Sequence, residues 1–346
     1  QVDQIRQCVG ANYCIDRQYM GLDVLCIQNA ATSREYLGLP HIIEKTAGPV
    51  RNVVVVGGGP GGMEAARVAA ERGHKVTLLE KGSELGGQIT IAAKAPQRDQ
   101  MAGITRWLAM ELERLGVTVS FGVNADAATV RDLRPDVCIL ATGGQPFLEQ
   151  NPEWGAAEGL VVSSWDILTG AVEPGKNVLV YDSICEFSGM SAADYLASKG
   201  ALVELVTGDI KPGVGIGGTT FPTYYRSLYE KAVIMTSDLA LEKVYREGDK
   251  LVAVLENEYT GQKEERVVDQ VVVENGTRPD ESLYYALKAE SCNRGQIATA
   301  TLFAMRPQPV LTAPQEGMIL WRLGDCVSQR NTHAAILDAL RLCKDL

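Results

Sequence analysis

The stretch Gly57-Gly58-Gly59-Pro60-Gly61-Gly62 carries the spacing Gly-x-Gly-x-x-Gly through Gly57, Gly59 and Gly62. Each glycine meets a different need of a bound dinucleotide. Gly57 turns the chain off a strand, Gly59 lets backbone touch a pyrophosphate, and Gly62 lets helix lie close on strand. Pro60 and Gly61 complete the loop, and the pyrophosphate then sits on the N-terminus of the helix that follows, where free N–H groups and the macrodipole favour it. Glu80 ends the next apolar run 18 residues after Gly62, with Lys81 beside it. A carboxylate there accepts the ribose hydroxyls of an adenosine and repels a 2′-phosphate.

Three further motifs follow in order. Leu85-Gly86-Gly87-Gln88 is a second glycine pair, placed where flavoproteins with two dinucleotide folds pass the FAD pyrophosphate. Ala141-Thr142-Gly143-Gly144 is a strand-end turn of the same class, and Arg322-Leu323-Gly324-Asp325 puts an acid at a strand end, within reach of a ribityl hydroxyl. A last helix starts at Thr332, with Asn331 as its cap, and aims its positive end at a flavin; His333 lies beside that end. The expected cofactor set is therefore Gly57, Gly59, Pro60, Gly61, Gly62, Glu80, Lys81, Gly87, Gln88, Ala141, Thr142, Gly143, Gly324, Asp325, Thr332 and His333. The ligand expected there is FAD, or its ADP half alone.

A second loop of the same kind is defective. With Gly189 as its third glycine, Ile184 and Glu186 stand where the first two belong. A β-branched residue resists the positive φ of that turn, and Asp182 and Glu186 repel phosphate. No Arg/Lys cluster follows Leu205-Val206-Thr207-Gly208 to hold a 2′-phosphate. This half is expected to serve packing rather than direct reduction by NAD(P)H.

Cys8, Cys14 and Cys26 form Cys-x5-Cys-x11-Cys around a glycine-bearing loop. Three thiolates so spaced can hold three corners of an iron–sulfur cluster. Zinc, with His41 as the nearest fourth donor, and three unconnected thiols are the alternatives. The other five cysteines are scattered, and Cys138 sits in Val137-Cys138-Ile139-Leu140 as a small buried hydrophobe. A secreted disulfide scaffold is not indicated, and a reducing cytoplasm is the expected compartment.

The elements that must position these groups are legible in outline. Val53–Val56 reads as a buried parallel strand, Met63–Arg72 as an Ala-rich helix, and Lys75–Glu80 as the next strand. A helix over Gln100–Leu115 and a strand over Val137–Ala141 follow. A second βαβ unit runs through Asn177–Tyr181, Ser188–Ser198 and Leu202–Thr207, and charge-alternating stretches at Leu241–Leu255 and Glu265–Val273 suggest an antiparallel layer. Ile319–Leu323 and Thr332–Lys344 return to the first pattern. The fold class expected is α/β, two Rossmann-like dinucleotide-binding domains preceded by an irregular iron–sulfur segment. The boundaries are 1–50 for that segment, 51–172 plus 276–346 for the FAD domain, and 173–275 for the second. His74 is read as part of a solvated turn, and Tyr224, Tyr225 and Tyr229 as helix packing. The 346 residues are 46% apolar and 22% charged, the composition of a globular chain. A net charge of −10 argues against nucleic acid as partner, and no apolar run reaches the ~18 residues of a membrane span.

With these residues in view, the chain resembles the C-terminal half of the flavoprotein family of trimethylamine dehydrogenase and 2,4-dienoyl-CoA reductase. The likeness is strongest to the N-methylproline and dimethylglycine demethylases, in Cys8-Val9-Gly10-Ala11-Asn12-Tyr13-Cys14-Ile15-Asp16-Arg17, Gln28-Asn29-Ala30-Ala31-Thr32 and Arg330-Asn331-Thr332-His333-Ala334-Ala335. The resemblance implies an FMN barrel, absent from this chain and supplied in cis or as a separate subunit. It further implies a [4Fe–4S] cluster, FAD or ADP, a homo-oligomer, and an electron-transfer flavoprotein as acceptor. The usual second cluster cysteine is Ala11 here, which leaves a three-cysteine [3Fe–4S] or [4Fe–4S] site, or none. The function implied is oxidative N-demethylation of a small methylated amine, the catalytic residues being on the barrel. An NADPH-dependent dienoyl-CoA or enoate reductase module and a non-catalytic subunit that keeps ADP or FAD for structure are the competing readings.

Overall fold

The computed structural model describes residues 4–312 and 316–346. In chain order its strands are Asn52–Val56 (β1), Lys75–Leu79 (β2), Thr118–Ser120 (β3), Val137–Leu140 (β4), Gly144–Pro146 (β5), Val161–Ser163 (β6), Asn177–Asp182 (β7) and Leu202–Val206 (β8). They continue with Ile234–Thr236 (β9), Leu239–Glu247 (β10), Lys250–Asn257 (β11), Lys263–Val268 (β12), Gln270–Glu274 (β13), Thr277–Pro279 (β14) and Ile319–Arg322 (β15). The chain divides into two units. Ile91–Gln100 and Pro146–Thr277 make the second, and the rest of the described residues make the first.

The first unit is built on a parallel sheet in the order β15-β4-β1-β2-β3. Parallel strands need both faces covered, and Val53, Val54 and Val55 at its centre are fully buried. The helix Pro60–Glu71 makes the crossover from β1 to β2. Its small residues Gly61, Gly62, Ala65, Ala66 and Ala69 allow close approach, and all are buried. Buried Glu64 is matched by Arg67, whose Nε and Nη2 donate to its carboxylate at 2.8 and 2.9 Å. The closing helix Thr332–Cys343 packs along Pro60–Glu71.

In the second unit a parallel sheet runs β6-β13-β7-β8-β9, and β10-β11-β12 form an antiparallel layer. Trp154, Leu179, Tyr181, Leu241, Leu255, Val271 and Val273 form the core between these sheets. The helices Phe187–Ser198 and Phe221–Glu230 cover the other face through Met190, Leu196, Tyr224 and Leu228.

The expected boundaries move. Residues 146–172 belong to the second unit, because β6 is an edge strand of its sheet against β13 and leads into the helix Ser164–Thr169 through a capping box at Ser163. The cysteine segment clusters with the first unit instead of standing apart. The stretch Glu265–Val273 is two strands of different kinds, β12 antiparallel and β13 parallel, which part at Asp269, whose amide N–H donates to Asn177 O at 2.9 Å. His74 is buried, its Nδ1 accepting the Arg51 amide at 3.2 Å. Among the tyrosines, Tyr224 is core, bonded to Ser191 at 2.9 Å, whereas Tyr229 is exposed. Among the described residues no helix is long and apolar enough to cross a membrane.

Candidate nucleotide site and cysteine segment

The first glycine loop leaves β1 for the helix Pro60–Glu71 under two backbone constraints. Gly57 has φ +107°, and a Cβ on it would overlap the Ala141 carbonyl at the end of β4. A Cβ on Gly62 would overlap the Gly57 carbonyl oxygen. Neither obstacle is a side chain that can swing away. Gly59 differs: its φ is −72°, and a Cβ there would meet nothing within 4 Å. Gly59 is also the helix N-cap and has no side chain to satisfy the first N–H groups. An open space in front of uncapped amides is what a pyrophosphate requires, so these residues fit the ADP part of a dinucleotide.

The neighbouring motifs converge on that loop. Gly86 N–H donates to Gly58 O at 2.8 Å, and a Cβ on Gly87, which has φ +52°, would stand 3.1 Å from Gly59 Cα. Glu80, at the end of β2, accepts the Gly58 amide on Oε2 and the Gly82 amide on Oε1, both at 2.6 Å. It braces both glycine loops and keeps lone pairs for sugar hydroxyls. Lys81 is exposed beside it. Gln88 Nε2 donates to Asp325 Oδ2 at 3.0 Å, and the Arg330 amide donates to Asp325 Oδ1 at 3.1 Å. Burial pushes the Asp325 carboxyl above its ordinary range, and the two donors oppose that shift. Ala141 lies over Gly57, Thr142 Oγ1 donates to Asp280 O at 2.7 Å, and Gly143, with φ +72°, accepts the Asp280 amide at 3.0 Å. Gly324 takes φ +62°, its amide donating to Asp338 Oδ2 at 3.3 Å. Asn331 caps the last helix by accepting the Ala334 amide at 3.0 Å, which leaves Thr332 in its first turn.

His333 does not take the place expected of it. It is buried, and both ring nitrogens are engaged by protein: Nε2 with Arg34 at 2.6 Å and Nδ1 with the Cys26 carbonyl at 2.7 Å. Neither ring nitrogen remains for a cofactor. Burial drives its pKa down to about 4, with the Arg34 and Arg17 charges adding to the shift and the Cys26 carbonyl opposing it. Asp338 was missed, because nothing local marks an acid inside an amphipathic helix as the acceptor for a turn 14 residues earlier.

The second loop is closed by its own side chain. Asp182, at the end of β7, is fully buried, and its Oδ1 accepts the Ile184 and Cys185 amides at 3.1 and 2.9 Å. A Cβ on Gly189 would overlap that carboxyl. The left-handed turn falls on Cys185, φ +55°, rather than on Ile184. Burial first, and then the charge of neighbouring Glu274, raise the Asp182 pKa to about 7; burial also raises those of Glu186 and Glu274. Loop amides that a pyrophosphate would need are already taken by an acid.

Cys8 is an exposed free thiol, while Cys14 and Cys26 are half-buried free thiols. The Gly10 amide points at Cys8 Sγ from 3.5 Å, and Gly10 and Asn12 both take positive φ ahead of the helix Tyr13–Tyr19. Among the described residues no three His, Cys, Asp or Glu side chains gather at single-ion distances. His41 faces Glu35 at 2.6 Å and Asn29 at 3.3 Å instead. Mononuclear zinc with His41 therefore does not fit. A cluster spreads its ligands over several irons, and soft thiols on one segment, with an amide aimed at sulfur, fit that donor chemistry. Cys138 is fully buried, its thiol pushed up to about 12.

Residues 52–120 match the FAD dependent oxidoreductase family. The whole chain is 73% identical to 51% of the N,N-dimethylglycine/sarcosine dehydrogenase of Chromohalobacter salexigens. Over 99% of its length it is 45% identical to half (50%) of a Rhizobium meliloti protein named "Probable N-methylproline demethylase". The chain thus spans about half the length of the curated relatives it matches. Histamine dehydrogenase from Rhizobium sp. 4-9 has the same fold over 100% of this chain and 51% of its own, with TM-score 0.83 at 22% identity.

Proposed function

We propose that this chain is the FAD-binding, electron-transferring part of an oxidoreductase that oxidatively demethylates a small N-methylated amine or amino acid. N-methylproline, dimethylglycine and sarcosine are the candidate substrates. The observation that carries the reading is the open, uncapped cradle at Gly59–Gly62, braced by Glu80, with Gln88 of the adjoining glycine loop bonded to Asp325. The names of the relatives at 73% and 45% identity support the substrate class. In this reading Gly57–Gly62, Gly87 and Glu80 hold the ADP part. Thr142, Gly143, Asp325 and the Thr332 end of the last helix face the flavin, which supplies the electron-accepting chemistry. Cys8, Cys14 and Cys26 hold a three-cysteine cluster. FMN and the substrate-binding groups belong to a barrel outside this chain, in cis or as a second subunit, and electrons leave to an electron-transfer flavoprotein. A homo-oligomer in a reducing cytoplasm completes the proposal.

The rival reading has electrons arriving from NADPH. The acid-filled loop at Asp182 opposes it. The test is anaerobic reduction of the complete flavoprotein, barrel included, followed at the flavin band. N-methylated substrates are expected to bleach it and NADPH is not. Rapid bleaching by NADPH alone overturns the proposal, and an FAD that stays oxidised through turnover would assign this chain a structural role.

A further inference from the structure

We propose that His333 is a positioning residue: it pins Cys26 of the cysteine segment to the first turn of the helix Thr332–Cys343, and so fixes how that segment meets the flavin end of the nucleotide site. Only the last clause rests on the FAD reading above.

The bond directions follow from chemistry. An arginine can only donate, so the 2.6 Å contact between Arg34 Nη1 and His333 Nε2 makes Nε2 the acceptor. The ring proton therefore sits on Nδ1, where it is given to the Cys26 carbonyl at 2.7 Å. Arg34 Nη1 also reaches Ala30 O at 3.4 Å, which ties it to the segment's own backbone. The Tyr13 ring lies 5.3 Å from the His333 ring, and Tyr13 is the neighbour of Cys14. One imidazole thus meets the segment at the Cys26 carbonyl and at the Tyr13 ring. The same helix turn is locked to the nucleotide side, since a Cβ on Gly61 would stand 3.3 Å from Ala335 Cβ. A residue chosen only to fill space would not need both nitrogens matched. The opposed donor and acceptor demands of Arg34 and Cys26 select a neutral imidazole, which offers one of each.

The test is mass-spectrometric mapping of thiol alkylation on the full chain, purified without oxygen and stripped of iron with a chelator so that Cys26 is a free thiol, with flavin content read from absorbance. His333→Gln keeps bulk but moves the amide N–H to the Nε2 end, away from the Cys26 carbonyl. His333→Asn keeps an N–H near the Nδ1 position. Loss of the buried bond is expected to raise local opening, and with it Cys26 alkylation, about ten- to a hundredfold in His333→Gln. His333→Asn should stay within about threefold of wild type, and flavin content should not change. Buried Cys138 serves as the control and is expected to stay unreactive throughout. Equal Cys26 rates in wild type and His333→Gln overturn the proposal. So does a parallel rise at Cys138, which would make the effect global, or failure of His333→Asn to restore protection. Absence of flavin from wild type would overturn the FAD reading instead, leaving the Cys26 result to decide the pinning role on its own.

Discussion

Gly59→Ala should separate folding from nucleotide binding. At this position a Cβ has no heavy atom within 4 Å, and the backbone, at φ −72° and ψ 174°, suits alanine. The folded chain accepts the methyl without strain. Its stability should hold, or rise by about 0.4–1 kcal/mol, because alanine restricts the unfolded chain. The methyl, however, projects into the space in front of the amides that would face phosphate. A methyl displaces an anion from hydrogen-bond range, and each charge-assisted bond is worth about 1.5–3 kcal/mol. Losing two of them gives a loss of about 3–6 kcal/mol, or roughly a hundredfold to ten-thousandfold in affinity.

The control is Gly62→Ala, whose methyl would overlap the Gly57 carbonyl oxygen, a backbone atom. That variant should fail at folding, before any ligand is added. The measurements are thermal unfolding of the apo chain and FAD or ADP titration by fluorescence. Gly59→Ala is expected to melt like wild type and bind weakly, and Gly62→Ala to be lost from the soluble fraction or strongly destabilised. Wild-type affinity in Gly59→Ala would refute the argument that this open space receives the phosphates. Misfolding of Gly59→Ala would refute the claim that the space is free.

Other consequences are equally checkable. Glu80→Gln turns one of two acceptors of backbone N–H groups into a donor, so FAD affinity should fall about tenfold to a hundredfold in the same titration. Asn331→Ala removes the cap bond to Ala334 and should cost about 1 kcal/mol in urea denaturation. Asp182 has a folded pKa raised from 3.8 to about 7, so its contribution is present at low pH and lost as pH rises through about 7. The swing is about 4 kcal/mol at most, at about 1.4 kcal/mol per unit. Asp182→Asn keeps the acceptor for Ile184 and Cys185 and should flatten this slope between pH 4 and 7 in a denaturation series. An unchanged slope would refute the assignment.

The sequence made the first unit readable because its signals are local. Four β-branched residues at Val53–Val56, a glycine loop and an alanine-rich helix each declare themselves within a turn or two. The four strands expected in its sheet differ from the observed ones by a residue at one end, whereas the edge strand β3, three residues long, is not among those expected. The three-residue strand β6 has no period to detect, so the start of the second unit was placed too late. The switch at Asp269 from antiparallel to parallel pairing is invisible for a similar reason, since Val267-Val268 and Val271-Val272-Val273 stand on either side of it with no glycine or proline between. The partners of the His333 ring were not legible because they lie 299 and 307 residues away. Proximity to a flavin-facing helix end was legible, but the direction of its side chain was not. The glycine before His74 marks a turn, and nothing local says that turn is covered, so its burial is not legible in the sequence.

The two glycine loops carry a lesson that spacing alone does not. Both follow a buried parallel strand and open a helix of 12 residues, and both have a carboxylate close by. What differs is where the carboxylate stands. Glu80 comes from the neighbouring strand and binds the Gly58 and Gly82 amides from outside, so the amides at the start of the helix Pro60–Glu71 stay open. Asp182 comes from the loop's own strand and takes the Ile184 and Cys185 amides from inside. The first acid completes a site for an anion, and the second substitutes for one. A carboxylate one strand over can be paired with sugar hydroxyls and still leave phosphate its donors. One at the strand end preceding the loop competes with phosphate for the same N–H groups and, where buried, adds a desolvation cost that favours its protonated form. Glycine count would rank these loops as intact and damaged versions of one motif; the position of a single acid makes them opposites.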